Sequence, residues 1–140
     1  MEGVFLEKDL SEKLMRCFYD IRNKYGHSHR EDFYQSVICE LFQLRDIAYV
    51  NKPRLNKYSL ETGKLITYYI PDLIVGNKII IELKAKPKLS IDDIMQTIEY
   101  LKTTKYEIIY IVNFGEKYFK PKRYIYTNDR KIFCNPDFIN

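Results

Sequence analysis

Asp72, Glu82 and Lys84 carry their charges inside YYIPDLIVGNKIIIELKAK, residues 68–86, a stretch otherwise patterned like two buried strands. A charge among Ile and Leu is costly unless it is paired or binds a metal. Residues two apart in a strand point to one side, so Glu82 and Lys84 project together while Ile81 and Leu83 face the other way. A tight turn at Gly76-Asn77 folds the preceding run back alongside, bringing Asp72, directly after Pro71, to the same spot. Two carboxylates beside an open coordination site suit Mg²⁺ or Mn²⁺. A lysine on their face can position or deprotonate a water and stabilise charge on an attacked phosphate. These are the parts that metal-assisted phosphodiester hydrolysis requires. The competing reading is a Glu82–Lys84 surface pair worth ~0–1 kcal/mol, with Asp72 an ordinary strand-entry residue. It leaves unexplained why the charges interrupt strands so apolar elsewhere.

The elements that must position these groups follow from periodicity. Leu10, Leu14, Phe18, Ile21 and Tyr25 recur at helical spacing, which predicts an amphipathic helix over about 8–25 with Gly26 at its C-terminal cap. Ser28 and Glu31 form a capping-box pattern that would open a second helix, with Val37, Ile38, Leu41 and Leu44 on its apolar face. From Ile47 the runs IAYV, RLNKYSL and KLITYYI read as short strands, with a hairpin turn at Thr62-Gly63. DLIV and KIIIELKA follow. Ser90 caps a third helix whose buried stripe is Ile91, Ile94, Met95, Ile98 and Leu101, with Asp92 and Asp93 at its positive end. YEIIYIVNF has the form of a strand covered on both faces, RYIY is one more strand, and the tail NPDFIN has no pattern. This order gives an α/β sandwich with a mixed sheet.

PDLIVGNKIIIELK resembles the signature of the PD-(D/E)xK nuclease superfamily: Pro71-Asp72, a spacer of nine residues, then Glu82-Leu83-Lys84. The resemblance implies a restriction-endonuclease-like core, a mixed β-sheet flanked by helices, in a single domain over 1–140. It also implies a glutamate on an early helix that completes the metal site, a place Glu31 fills. A glutamine on the helix after the ExK strand has its match in Gln96, with Tyr100 one turn on. From Tyr25 to about Arg123 the chain resembles the small stand-alone group named for a GxxExxxY motif, although Ser28 stands at the glycine and Tyr34 follows Glu31 by three residues rather than four.

The chain has 140 residues, 46% hydrophobic and 30% charged, the balance of one globular domain. The net charge of +4 suits a polyanionic partner. Thirteen Tyr and eight Phe without Trp read as the codon bias of an AT-rich genome, with most of these rings in the core. Cys17, Cys39 and Cys134 have no CxxC spacing and are expected as thiols in a reducing compartment. No run spans a membrane and the N-terminus lacks a signal pattern, so an intracellular, soluble protein is expected, cytoplasmic or nucleic-acid-associated. His27, His29 and Arg30 precede Glu31 on one loop, where contact with phosphate competes with simple solvation. Lys86 and Lys88, and later Lys117, Lys120, Lys122 and Arg123, could follow a nucleic-acid backbone.

The expected function is therefore Mg²⁺- or Mn²⁺-dependent hydrolysis of DNA. By the resemblance, Asp72 and Glu82 hold the metal with the Leu83 carbonyl and Glu31, Lys84 assists the attacking water, and Gln96 supports the site. Lys86, Lys88, His29, Arg30 and Tyr100 are the expected nucleic-acid contacts. The alternatives are a catalytically silent nucleic-acid-binding or assembly module on the same fold, and a protein-interaction domain without metal dependence. So small a chain leaves little for base reading, so selectivity would come from nucleic-acid shape, a homodimer or a partner.

Overall fold

The structure is a computed structural model that describes residues 5–131; Cys134 and the tail NPDFIN lie outside the described residues. Helices α1 (Lys8–Tyr25) and α2 (Glu31–Leu44) come first, followed by strands β1 (Tyr49–Asn51), β2 (Leu55–Tyr58), β3 (Leu65–Tyr69), β4 (Leu73–Val75) and β5 (Ile79–Lys84). Helix α3 (Ile91–Lys102) connects β5 to β6 (Ile108–Asn113), and β7 (Lys122–Ile125) closes the sheet. Strands β1, β4, β5, β6 and β7 form one sheet in that order, while β2 and β3 make a separate two-stranded arm. Only β5 and β6 pair in parallel, as a strand–helix–strand crossover permits. The sheet is mixed and flanked by helices, a restriction-endonuclease-like α/β fold.

Alternation along β5 sorts its residues between two cores. Ile79, Ile81 and Leu83 join Leu14, Phe18, Ile38 and Phe42 of α1 and α2 on one face. Ile80 packs on the other with Ile74, Leu101, Leu55 and Tyr69. Every residue of β6 is buried, as expected for a central strand covered on both sides. Gly76 and Asn77 both have positive φ, 58° and 53°, the conformation of the tightest hairpin turns. They hold β4 against β5 with Leu73 opposite Ile81.

Three expectations are corrected. No capping box opens α2: its N-cap is Arg30, with no side-chain hydrogen bond, because the chain is still extended at Arg30 and Glu31 is already the first helical residue. Leu44 is 75% exposed; it lies roughly 120° round the helix from the buried line Tyr34–Ile38–Phe42 at 3.6 residues per turn. In α3 the buried residues are Thr97 and Leu101, whereas Ile91 and Met95 are 74% and 59% exposed. Met95 points ~100° away from Ile94, and Ile91 sits in a first turn that nothing among the described residues covers. The Ser90 cap does form, with Ser90 and Asp93 each accepting the other's backbone N–H.

Candidate active site

The backbone ladder between β4 and β5 stops at Leu73 and Ile81, and side chains take over. The Leu83 N–H donates to Asp72 Oδ2 at 2.7 Å, and the Asp72 N–H donates to Glu82 Oε1 at 3.2 Å. Each carboxylate is thus fixed by the other's strand. By the alternation of β5, Glu82 and Lys84 share the Ile80 face, on the side of α3 and the β2–β3 arm. The Lys84 ammonium group forms no hydrogen bond or salt bridge among the described residues, which leaves it available beside the acids, while the Lys84 carbonyl accepts the Phe114 N–H at 2.9 Å.

Burial and mutual repulsion decide the electrostatics. Desolvation, then the charge of Asp72, push the Glu82 carboxyl up to about 7 against hydrogen bonds from Tyr69 and the Asp72 N–H and the attraction of Lys84. Burial also raises Asp72, opposed by the Leu83 N–H and by Lys52 and Lys84. Glu31 is raised by partial desolvation and by Asp72, and lowered by Lys84, Lys52 and Lys86. The first turn of α2 therefore delivers Glu31 into the field of Asp72 and Lys84, not into a cap of its own helix.

Two carboxylates crowded together, with two oxygens already anchored, form the kind of donor set that Mg²⁺ or Mn²⁺ takes along with water and phosphate oxygens. Asp72 Oδ1 and Glu82 Oε2 accept no hydrogen bond among the described residues, so each carboxylate keeps one oxygen for an ion. The fit is to a two-carboxylate site: among the described residues no group of three or more His, Cys, Asp or Glu side chains could hold a metal. Glu31 stands near the pair without closing a cage around it.

Four residues that local patterns did not mark build the surroundings. Tyr69, buried at the end of β3, donates its hydroxyl to Glu82 Oε1 at 2.5 Å. Burial and the Glu82 charge raise its pKa, which keeps it a donor. Gln35 Nε2, one turn beyond Glu31, donates to the Asp72 carbonyl at 3.0 Å and to Asn51 Oδ1 at 2.6 Å. Lys52 donates its backbone N–H to the same carbonyl at 2.9 Å. It does so with a left-handed φ of 51°, a conformation costing roughly 1–2 kcal/mol outside glycine. A local signal existed only for Gln35, at helical spacing from Glu31.

The remaining candidates are dispersed. Gln96 does not meet the acids; it donates to the Tyr100 hydroxyl at 3.1 Å, and Tyr100 stacks on Tyr69 with ring centroids 3.7 Å apart. Gln96 thus reaches Glu82 through two intervening side chains. Lys86 is paired with Asp93 at 2.5 Å, a contact that lowers Asp93 to about 2, so this lysine is engaged rather than open to phosphate. Lys88 is exposed. The His29 ring stacks on Phe33, centroids 3.9 Å apart, while Arg30 and His27 are exposed in the same loop. Tyr34 is buried, lies flat on Phe114 and donates to the Gly26 carbonyl at 2.6 Å. It anchors the loop ahead of Glu31.

A mixed sheet whose central antiparallel pair presents Asp72, Glu82 and Lys84 on one face defines a restriction-endonuclease-like protein. The sequence profile of the PD-(D/E)XK nuclease superfamily matches residues 8–125. The chain belongs to that superfamily, whose members are typically phosphodiester-cleaving nucleases that use divalent metals. No curated protein and no solved structure matches it. Among the described residues no helix is long and apolar enough to cross a membrane.

Proposed function

We propose that the protein is a Mg²⁺- or Mn²⁺-dependent nuclease that hydrolyses phosphodiester bonds in DNA, as one domain. The observation that carries this reading is the cross-strand clasp of Asp72 and Glu82, with both carboxyls raised by burial and an ammonium group on their face. Two carboxyls crowded in a desolvated spot, raised despite their hydrogen bonds, are costly to a structural protein and useful to one that binds a cation.

Asp72 and Glu82 would hold the ion, with the Leu83 carbonyl as a further oxygen donor and Glu31 adding negative charge from α2. When bound, the ion stabilises charge on the attacked phosphate. Lys84 orients the attacking water and faces the charge that develops as the water oxygen bonds to phosphorus and the sugar oxygen departs. Tyr69 holds Glu82 in place by donation, and Gln96 steadies Tyr69 through Tyr100. Gln35 and Lys52 hold the Asp72 backbone. Lys88, His29, Arg30 and Tyr100 line the approach for nucleic acid, and Lys86 joins them on release from Asp93.

Purified protein incubated with single-stranded, duplex and branched DNA should cleave in Mg²⁺ or Mn²⁺ and not in chelator, with activity lost in Lys84→Ala. Binding without cleavage under every metal condition would reject the enzyme and leave a nucleic-acid-binding module.

A further inference from the structure

Both ends of the β2–β3 arm start at the candidate site. Its entry is pinned by the Lys52 N–H on the Asp72 carbonyl. Its exit, Tyr69, bonds Glu82. A covering of the acids requires only the inner side of this arm, where Leu55 and Tyr69 are buried. The outer side is different in character. Tyr68 and Ile66 are 49% and 68% exposed. The Arg54 guanidinium lies over the Tyr68 ring at 4.0 Å and donates to Asn56 at 3.2 Å. Leu65 and Ile70 add further exposed apolar surface. Residues 52–69 hold Lys52, Arg54, Lys57 and Lys64 against the one acid Glu61, so a net three positive charges of the chain's +4 sit on this segment.

We infer that the outer face of the β2–β3 arm binds single-stranded nucleic acid, with Tyr68 as a stacking platform for an unpaired base and Arg54, beside that ring, set for its phosphates. This deepens the nuclease reading by naming the substrate class delivered to that site. Exposed aromatic and aliphatic side chains interleaved with cations suit bases whose faces are open, and a duplex keeps those faces stacked. Tyr68 is four residues from Asp72, at most ~14 Å along the chain at 3.3–3.6 Å per residue. A strand held on Tyr68 is therefore within a few nucleotides of the acids. A second copy of this chain fits the surface less well, because a two-fold contact would set one basic arm against another.

Fluorescence anisotropy of the full chain in chelator, with labelled oligothymidylate and a blunt duplex of equal length, tests the assignment. The parent should bind the single strand at least tenfold tighter. Tyr68→Ala should weaken it about 5- to 150-fold, the ratio for ~1–3 kcal/mol of stacking at 1.36 kcal/mol per tenfold, and change duplex binding by less than about twofold. Tyr68→Phe should keep parental affinity, and Arg54→Ala should lower the salt slope by about 0.7. Equal effects on both probes, or none, overturn the inference. So does self-association lost in Tyr68→Ala without a change in oligonucleotide affinity, or capture by phosphatidylserine vesicles without oligothymidylate binding. If the affinities behave as stated but no metal supports cleavage, the nuclease reading fails and the binding face stands. If the parent cuts DNA and Tyr68→Ala cuts both probes at parental rates, the nuclease reading stands and this assignment fails.

Discussion

Glu82→Gln should stabilise the metal-free protein at alkaline pH while removing its activity. The Glu82 carboxyl is raised from 4.5 to about 7, chiefly by burial and then by Asp72. Between those values the folded chain holds a proton that the unfolded chain has released, so this group's contribution to stability falls as pH rises through the window. At 1.36 kcal/mol per pH unit, the ionised, folded state at pH 8 carries a cost of about 3 kcal/mol. Glutamine keeps the acceptor that takes the Tyr69 hydroxyl and the Asp72 N–H and has no charge to desolvate. A chain of this size moves its melting temperature by about 3 °C per kcal/mol. In chelator, the variant should therefore melt about 9 °C above the parent at pH 8. At pH 4.5, where Glu82 is protonated in the parent as well, the two should melt nearly together. Comparing the pair cancels every other titrating group. Added Mg²⁺ should raise the parent's melting temperature and leave the variant's nearly unmoved. A variant that melts below the parent at pH 8, or a gap that does not change between the two pH values, would refute the buried-carboxylate account.

Lys84→Ala should lower cleavage at least ~100-fold while leaving melting, nucleic-acid binding and Mg²⁺ affinity close to parental; Asp72→Ala should lose Mg²⁺ binding and cleavage together, measured by calorimetry and a gel assay. Since Glu31 makes no cap bond, Glu31→Gln should reduce cleavage without lowering the melting temperature, and an earlier melt with normal cleavage would return it to a structural role. Gly115→Ala should cost ~1–3 kcal/mol in urea unfolding, because a Cβ there would lie 2.6 Å from the Lys86 N and O, and backbone cannot yield as a side chain can.

The groups that face one another across β4 and β5 were legible in the sequence because short-range rules generate them. Gly76-Asn77 demands a hairpin, the hairpin sets the register, and a period of two sends Glu82 and Lys84 to one side. The Ser90 cap and the all-buried β6 followed from equally local patterns. Only the tertiary structure decided what surrounds the acids. Tyr69 and Tyr68 are neighbours of one type, and nothing in KLITYYI says that one bonds Glu82 while the other stays open. That depends on how the β2–β3 arm docks on α3. Gln35 and Asp72 are 37 residues apart, and their contact exists only because α2 and β4 meet over a shared core. Helical periodicity likewise marked Met95 and Leu44 as apolar without telling which arc of each helix would be covered. Local rules set dihedral angles and alternation; the partners of a side chain are set by the path of the whole chain.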